Sequence, residues 1–195
     1  TPPVNRPRPG HADLAGAVKF GTNDCRNTLE RASARQTAVR TAAGALASCM
    51  LADLGIQTIG YVTAMRDIAI DIDITAESID AVTTRRDASS MYCPDAEATS
   101  GMEAFVRAAK ENKDTVGGLC RVHVLGMPIG IGTCMTRADG LDARLASAVM
   151  SIQAFKSVEI GLGRATAARW GSEVHDAIAY DESQRDSRQR GFTRD

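Results

Sequence analysis

With 195 residues, 44% of them hydrophobic and 24% charged, the chain has the make-up of one globular domain. That length can bury roughly 70% of the unfolded surface. A net charge of −1 argues against a nucleic-acid or membrane-surface protein, and no window reaches the run of about 18 apolar residues that a membrane helix needs. The charge is uneven. Residues 1–45 hold seven basic side chains (Arg6, Arg8, Lys19, Arg26, Arg31, Arg35, Arg40) against three acidic ones (Asp13, Asp24, Glu30), or +4, which leaves −5 for the remainder. A basic focus on an acidic background suits a small anionic ligand, whereas a nucleic acid needs a broader stripe.

Residues 1–10 are Pro-rich and extended. Pro9 and Gly10 force an exposed turn carrying His11, and Asp13, two residues on, is placed to orient the ring or set its tautomer. The strongest predicted helix begins with Thr28 as N-cap, runs to about Leu54 and is closed by Gly55 at C′. Its small residues Ala34, Ala38, Ala42, Ala45 and Cys49 recur at spacings of three and four, so a second backbone can approach; tight packing is the expected reason for Gly44. Arg31 and Arg35, at i, i+4, are predicted to share a face near the helix start. Cations there oppose the macrodipole by about 0.3–1 kcal/mol each. The arrangement makes sense for an anion docked on free N–H groups, the Ser33 hydroxyl and two guanidinium forks. The alternative is a pair of solvated arginines.

From Ile56 to Ile74 the period moves towards two, predicting a strand or hairpin. Residues 75–83 are read as a short helix. After the turn at Cys93, Pro94 and Asp95, residues 96–112 form an amphipathic helix with Met102, Phe105, Val106 and Ala109 on its apolar side. Thr115 to Leu125 is a second β segment, MPIGIG (Met127 to Gly132) a glycine-rich bend, and Leu141 to Lys156 another long helix. Residues 158–160 and 165–169 are expected as short strands, and 181–195 as a charged, flexible tail. With no repeat and no composition break, residues 1–195 read as a single α+β domain with antiparallel strands. The five cysteines form no CxxC pair, so reduced, mostly buried thiols in a cytoplasmic protein are expected. His123 and His175 are read as structural, and the three histidines share no metal-type spacing. No phosphate loop, GxGxxG or GxSxG motif is present.

Several of these stretches together resemble the chorismate synthase family. They are RPGHAD (Arg8 to Asp13), ERASAR (Glu30 to Arg35), CPD (Cys93 to Asp95) and DTVGG (Asp114 to Gly118), then PIGIG (Pro128 to Gly132), LDARLASAVMSIQAFKSVEIG (Leu141 to Gly161) and GSEVHD (Gly171 to Asp176). They follow the family's order and spacing from Arg8 to about Phe192. The resemblance implies a β-α-β sandwich with long helices layered between antiparallel sheets, assembled as a homotetramer. It implies elimination of phosphate in a 1,4 sense from 5-enolpyruvylshikimate-3-phosphate to give chorismate, in the shikimate pathway of aromatic amino acid biosynthesis. The cofactor implied is reduced FMN, with NADP associated, and the flavin reduced by a separate reductase or by the same protein.

By match to the family's motifs, His11 is the histidine that acts as an acid towards the reduced flavin. Arg31, Ala32 and Ser33 match one FMN-binding segment, Gln153 and Ala154 another, and Ser33 and Arg35 match substrate-holding positions. A phosphorylated small molecule is the expected partner, with no metal, nucleic acid or membrane. Gln36, Lys113 and Ser157 stand where the family usually has Glu, Gly and Gly. The family's GESHG-type opening segment with a second histidine, and its closing NAGG and KPTSS-like loops, do not occur here. The expectation is therefore a middle portion holding half of an active site and inactive alone. The alternative is a non-catalytic flavin- or phosphate-binding or assembly fragment.

Overall fold

The computed structural model describes residues 2–74, 77–187 and 192–194. The chain divides into two compact units, Thr1–Ala47 with Pro128–Asp195, and Ser48–Met127. The fold is α+β, as expected, and no described helix is long and apolar enough to cross a membrane.

The second unit is built on an antiparallel sheet. Its strands are β1 (Gln57–Met65), β2 (Ile68–Ala69) and β3 (Leu119–Leu125), in the order β2-β1-β3. Gln57 pairs with Leu125 and Ala64 with Leu119, and the register shifts between Val62 and Ala64. The hairpin expected from the period-two pattern is β1–β2. Alternation sends Ile59, Tyr61 and Met65 to a buried face while Thr58 and Gly60 stay exposed. Helix α4 (Ile79–Ala88) starts at Ser78, whose hydroxyl accepts from the Ala81 amide at 3.2 Å. Helix α5 (Ala96–Glu111) starts at Asp95, which takes the Ala98 amide at 2.7 Å. Two apolar clusters result. Ile59, Tyr61, Ile74 and Val82 form one; Met65, Cys93, Ala98 and Met102 form the other. Of the apolar side expected for α5, Met102 is fully buried and Val106 is exposed.

The first unit contains α1 (Asp13–Phe20), α2 (Arg26–Arg31), the greater part of α3 (Arg35–Asp53), α6 (Leu141–Met150), and β4 (Ile178–Tyr180) paired antiparallel with β5 (Phe192–Arg194). The helix expected to run unbroken from Thr28 is two helices, because residues 32–34 leave the helical path. Serine offers its own local bonds in place of a helical turn. Here the Ser33 carbonyl accepts from the Gln36 amide at 3.1 Å, and its hydroxyl lies 3.4 Å from the Arg35 amide. Thr28 is accordingly inside α2 rather than an N-cap. Gly55, at φ 76, follows α3 as predicted, and the Ile56 amide reaches back to the Leu51 carbonyl. No residue of α3 is buried, and a Cβ at Gly44 would meet nothing within 4 Å among the described residues, so the expected tight packing does not account for that glycine.

Helix α6 stops at Met150, short of the expected Lys156, and residues 163–168 form a 3-10 helix where a strand was predicted. Within the expected tail 181–195, Glu182–Gln184 is a 3-10 turn and Phe192–Arg194 is β5, while residues 188–191 and 195 lie outside the described residues. All five cysteines are free; Cys25 and Cys93 are buried and Cys49, Cys120 and Cys134 are exposed, against the expectation of mostly buried thiols.

Candidate functional site

The turn before α1 gathers three chemistry-bearing side chains. Gly10 adopts φ 70, a conformation that favours glycine, and the His11 amide returns to the Arg8 carbonyl at 3.3 Å. Asp13 is completely buried. Its Oδ2 accepts from the Arg8 amide at 3.1 Å and from Arg8 Nε at 3.2 Å, and its Oδ1 is bonded to His11 Nδ1. Arg8 Nη2 lies 3.0 Å from His11 Nε2. Burial would raise the Asp13 pKa, but the Arg8 amide and guanidinium and the His11 ring outweigh it and hold the carboxyl below its ordinary value.

Helices α1 and α2 meet where Gly16 faces Thr28. A Cβ on Gly16 would lie 2.1 Å from Thr28 Oγ1, so only glycine permits this approach. Beside that contact lies a cavity of about 750 Å³, lined by Phe20, Thr22, Asn27, Thr28, Arg31 and Ala32. Arg31 is the last residue of α2, not an early residue of a longer helix, so its cation complements the macrodipole instead of opposing it. Gln153 Nε2 donates to the Arg31 carbonyl at 3.1 Å, and its Oε1 accepts from Thr37 Oγ1 at 3.4 Å, fastening the break between α2 and α3. Arg40 adds a bond to Ser151 Oγ at 2.6 Å. Next to Gln153, Ala154 holds φ 69, a left-handed conformation costing a non-glycine residue about 1–3 kcal/mol.

Of the residues singled out from the sequence, Arg31 and Ala32 line the cavity, and Gln153 with Ala154 adjoins them through the Arg31 carbonyl. Ser33, Arg35 and His11 do not line it. Arg35 opens α3 and pairs with Glu30 at 2.8 Å, its side chain 77% exposed. His11 precedes α1, whereas Phe20 closes it, so about 10 Å of helix at 1.5 Å per residue separates the turn from the cavity wall. Phe20, Thr22, Asn27 and Thr28 carried no functional signal in the sequence; the glycine at position 16 was the one sign of a close helix contact there. His123, read as structural, shares a hydrogen bond of 3.0 Å between Nε2 and the Tyr61 hydroxyl, with burial and then the Arg121 charge keeping its pKa below the ordinary value.

The family model described as chorismate synthase matches residues 2–192. The chain belongs to the chorismate synthase family. It is 48% identical over 191 residues to chorismate synthase 1 of Bacillus cereus, an alignment covering 98% of this chain and 47% of that protein. It is 46% identical to the chorismate synthase of Desulforamulus reducens, covering 98% of this chain and 48% of the relative. A solved structure titled "Crystal Structure of Chorismate Synthase" superposes with a TM-score of 0.83 at 35% identity, over 94% of this chain and 55% of that one. The chain thus spans about half the length of the chorismate synthases it matches. The matched span includes the His11 turn, the α2–α3 break and the Gln153 segment.

Proposed function

We propose that this chain carries a flavin- and phosphate-holding part of a chorismate synthase active site. The reaction would be the 1,4-elimination of phosphate from 5-enolpyruvylshikimate-3-phosphate, giving chorismate. One observation supports the reading above the rest: Arg31 and Ala32 share a cavity with Thr22, Asn27 and Thr28, and Gln153 is bonded to the Arg31 carbonyl. Its volume lies within the range of about 300–1,000 Å³ usual for small-molecule sites. One guanidinium, two hydroxyls and an amide suit a phosphate, and Phe20 offers an apolar face to a ring system, so the lining fits reduced FMN.

In this reading Arg31, Ala32, Ser33, Gln153 and Ala154 hold the flavin, Ser33 and Arg35 hold the substrate, and His11 donates a proton. The reduced flavin, when bound, lends electron density as the C–O bond to phosphate breaks, with no net redox change. The guanidinium groups of Arg31 and Arg35 offset negative charge gathering on the departing phosphate. Arg35 must exchange Glu30 for the ligand to do so, and an exposed pair of that kind holds by only about 0–1 kcal/mol. The strained Ala154 backbone is consistent with a ligand-facing position. A cytoplasmic homotetramer with NADP-linked flavin reduction belongs to the same proposal and draws its support from family membership.

The test is an anaerobic titration of the chain with FMNH2, with and without 5-enolpyruvylshikimate-3-phosphate, together with a phosphate-release assay. Saturable flavin binding, weakened about tenfold by Arg31→Met (about 1.4 kcal/mol), and no turnover by this chain alone are expected. Absence of binding to either ligand would overturn the reading in favour of an assembly module. Turnover would overturn the half-site description.

A further inference from the structure

We propose that Asp13 is a positioning residue for His11, its buried carboxylate holding the imidazole as the Nδ1–H tautomer so that Nε2 is the nitrogen that exchanges a proton. The assignment follows from donor and acceptor bookkeeping. A carboxylate only accepts, and a guanidinium only donates. Asp13 Oδ1 is bonded to His11 Nδ1, so that nitrogen carries the hydrogen; with the opposite tautomer two lone pairs would face each other. With Nδ1 protonated, Nε2 is the bare nitrogen of a neutral ring, and Arg8 Nη2, 3.0 Å from Nε2 and 3.2 Å from Nδ1, has only Nε2 left to accept its hydrogen.

The carboxylate is itself fixed. It has no exposed surface, and its second oxygen is taken by the Arg8 amide and Arg8 Nε. One aspartate therefore sets the ring's orientation. The Arg8 side chain is 53% exposed, and on leaving it gives up the Nε bond to Asp13 while the Arg8 amide keeps Oδ2 occupied. An anion that draws Arg8 away uncovers Nε2 for protonation, while Nδ1 stays held. Arg8 and Asp13 are the charged groups in contact with the ring. Only the choice of His11 as the proton donor rests on the proposed function; the tautomer does not.

The experiment uses this chain labelled with 15N-histidine, and long-range proton–nitrogen spectra recorded at a pH where imidazoles are neutral. His11 is assigned among the three histidines by His11→Gln. The expected pattern has the hydrogen on Nδ1 and the nitrogen shift of a bare ring atom at Nε2, opposite to the form free histidine prefers in water. In Asp13→Ala the Nδ1–H form should be lost and the Nε2–H form take over. In Arg8→Met, which leaves the carboxylate in place, Nδ1–H should persist. An Nε2–H ring in the unaltered chain overturns the proposal even if Asp13→Ala fails to fold. So does an Asp13→Ala ring still carrying Nδ1–H, or a tautomer that flips in Arg8→Met. Failure of flavin binding would overturn the functional reading and leave the tautomer result standing.

Discussion

Two alanine substitutions at helical glycines should change stability in opposite directions, and the difference tests how the cavity is built. In an open helix, Gly→Ala gains up to about 1 kcal/mol from propensity. A Cβ at Gly44 in α3 would meet nothing within 4 Å, so Gly44→Ala should realise that gain. At Gly16 the added Cβ would lie 2.1 Å from Thr28 Oγ1, 2.3 Å from Cγ2 and 2.6 Å from Cβ. Rotation about χ1 can move the first two atoms but not the third, which is fixed to α2. Ordinary carbon contact begins near 3.5 Å, so α1 must retreat by about 1 Å. Overpacking of this kind costs about 1–3 kcal/mol, leaving a net loss of about 0–2 kcal/mol after the propensity gain. Thr28→Ala removes Oγ1 and Cγ2, so the double variant should lose less than the sum of the singles. Native-state hydrogen exchange of α1 and α3 amides reads both effects, and a reduced-FMN titration reads the displaced wall of the cavity. A stabilised, additive Gly16→Ala with unchanged flavin affinity would refute the close-contact reasoning.

Gln153→Ala removes bonds of 3.1 Å to the exposed Arg31 and 3.4 Å to the half-buried Thr37, so α3 should lose about 1 kcal/mol, visible as faster exchange at the Gln36 and Thr37 amides. Met102→Ala should destabilise the sheet-bearing unit by about 2–5 kcal/mol in a urea titration, because the methionine is wholly buried between Met65, Cys93 and Ala98. Asp24 accepts from the Val4 amide at 2.9 Å and the Arg26 amide at 3.0 Å, and these bonds depress its pKa against burial. A depressed carboxylate stabilises above its unfolded value, near 4, and that contribution is lost as the pH falls through the folded value. The Val4 and Arg26 amide shifts should therefore titrate together below about pH 4, and a midpoint at or above 4 would contradict the bonding.

Residues whose role depends on near neighbours were the legible ones. The hairpin of β1 and β2, the helix start after Asp95 and the stop at Gly55 are written in period, turn residue and glycine, and each appears where those signals put it; the helix expected over residues 75–83 runs instead from Ile79 to Ala88 behind Ser78, and residues 75 and 76 lie outside the described residues. The interruption at residues 32–34 was not legible, because Arg-Ala-Ser-Ala contains good helix formers and no strong breaker. Gln153, which bonds to the Arg31 carbonyl beside the break, lies 122 residues away. The cavity was hidden for a different reason, since its lining spans only residues 20–32. Phe20, Thr22, Asn27 and Thr28 are ordinary residues individually and become a lining only when Gly16 lets α1 close on α2. The tie between His11 and Asp13 was legible because two residues of separation leave little freedom; the part of Arg8 in it needed the folded turn.

The two units are stabilised by different means, and that difference bears on where function can sit. The unit with the sheet owns both apolar clusters, Ile59 with Val82 and Met65 with Met102. The unit with the candidate site buries, among its described residues, only Asp13, Gly16 and Cys25. Its order comes instead from separate polar ties: Asp13 to Arg8 and His11, Asp24 to Val4 and Arg26, Gln153 to Arg31 and Thr37, Arg40 to Ser151. A bond of this sort contributes about 0.5–1.5 kcal/mol when neutral and about 1.5–3 kcal/mol when one partner is charged, against about 2–5 kcal/mol for a buried core side chain. Such a frame can exchange partners at small cost, as Arg8 and Arg35 must if an anion is to take their guanidinium groups. A residue in the Met102 cluster could not do so without opening a cavity in the core. The groups proposed to meet phosphate lie in the weakly packed unit, and the physical reason would be that a site swapping internal ion pairs for ligand contacts needs side chains that the core does not hold.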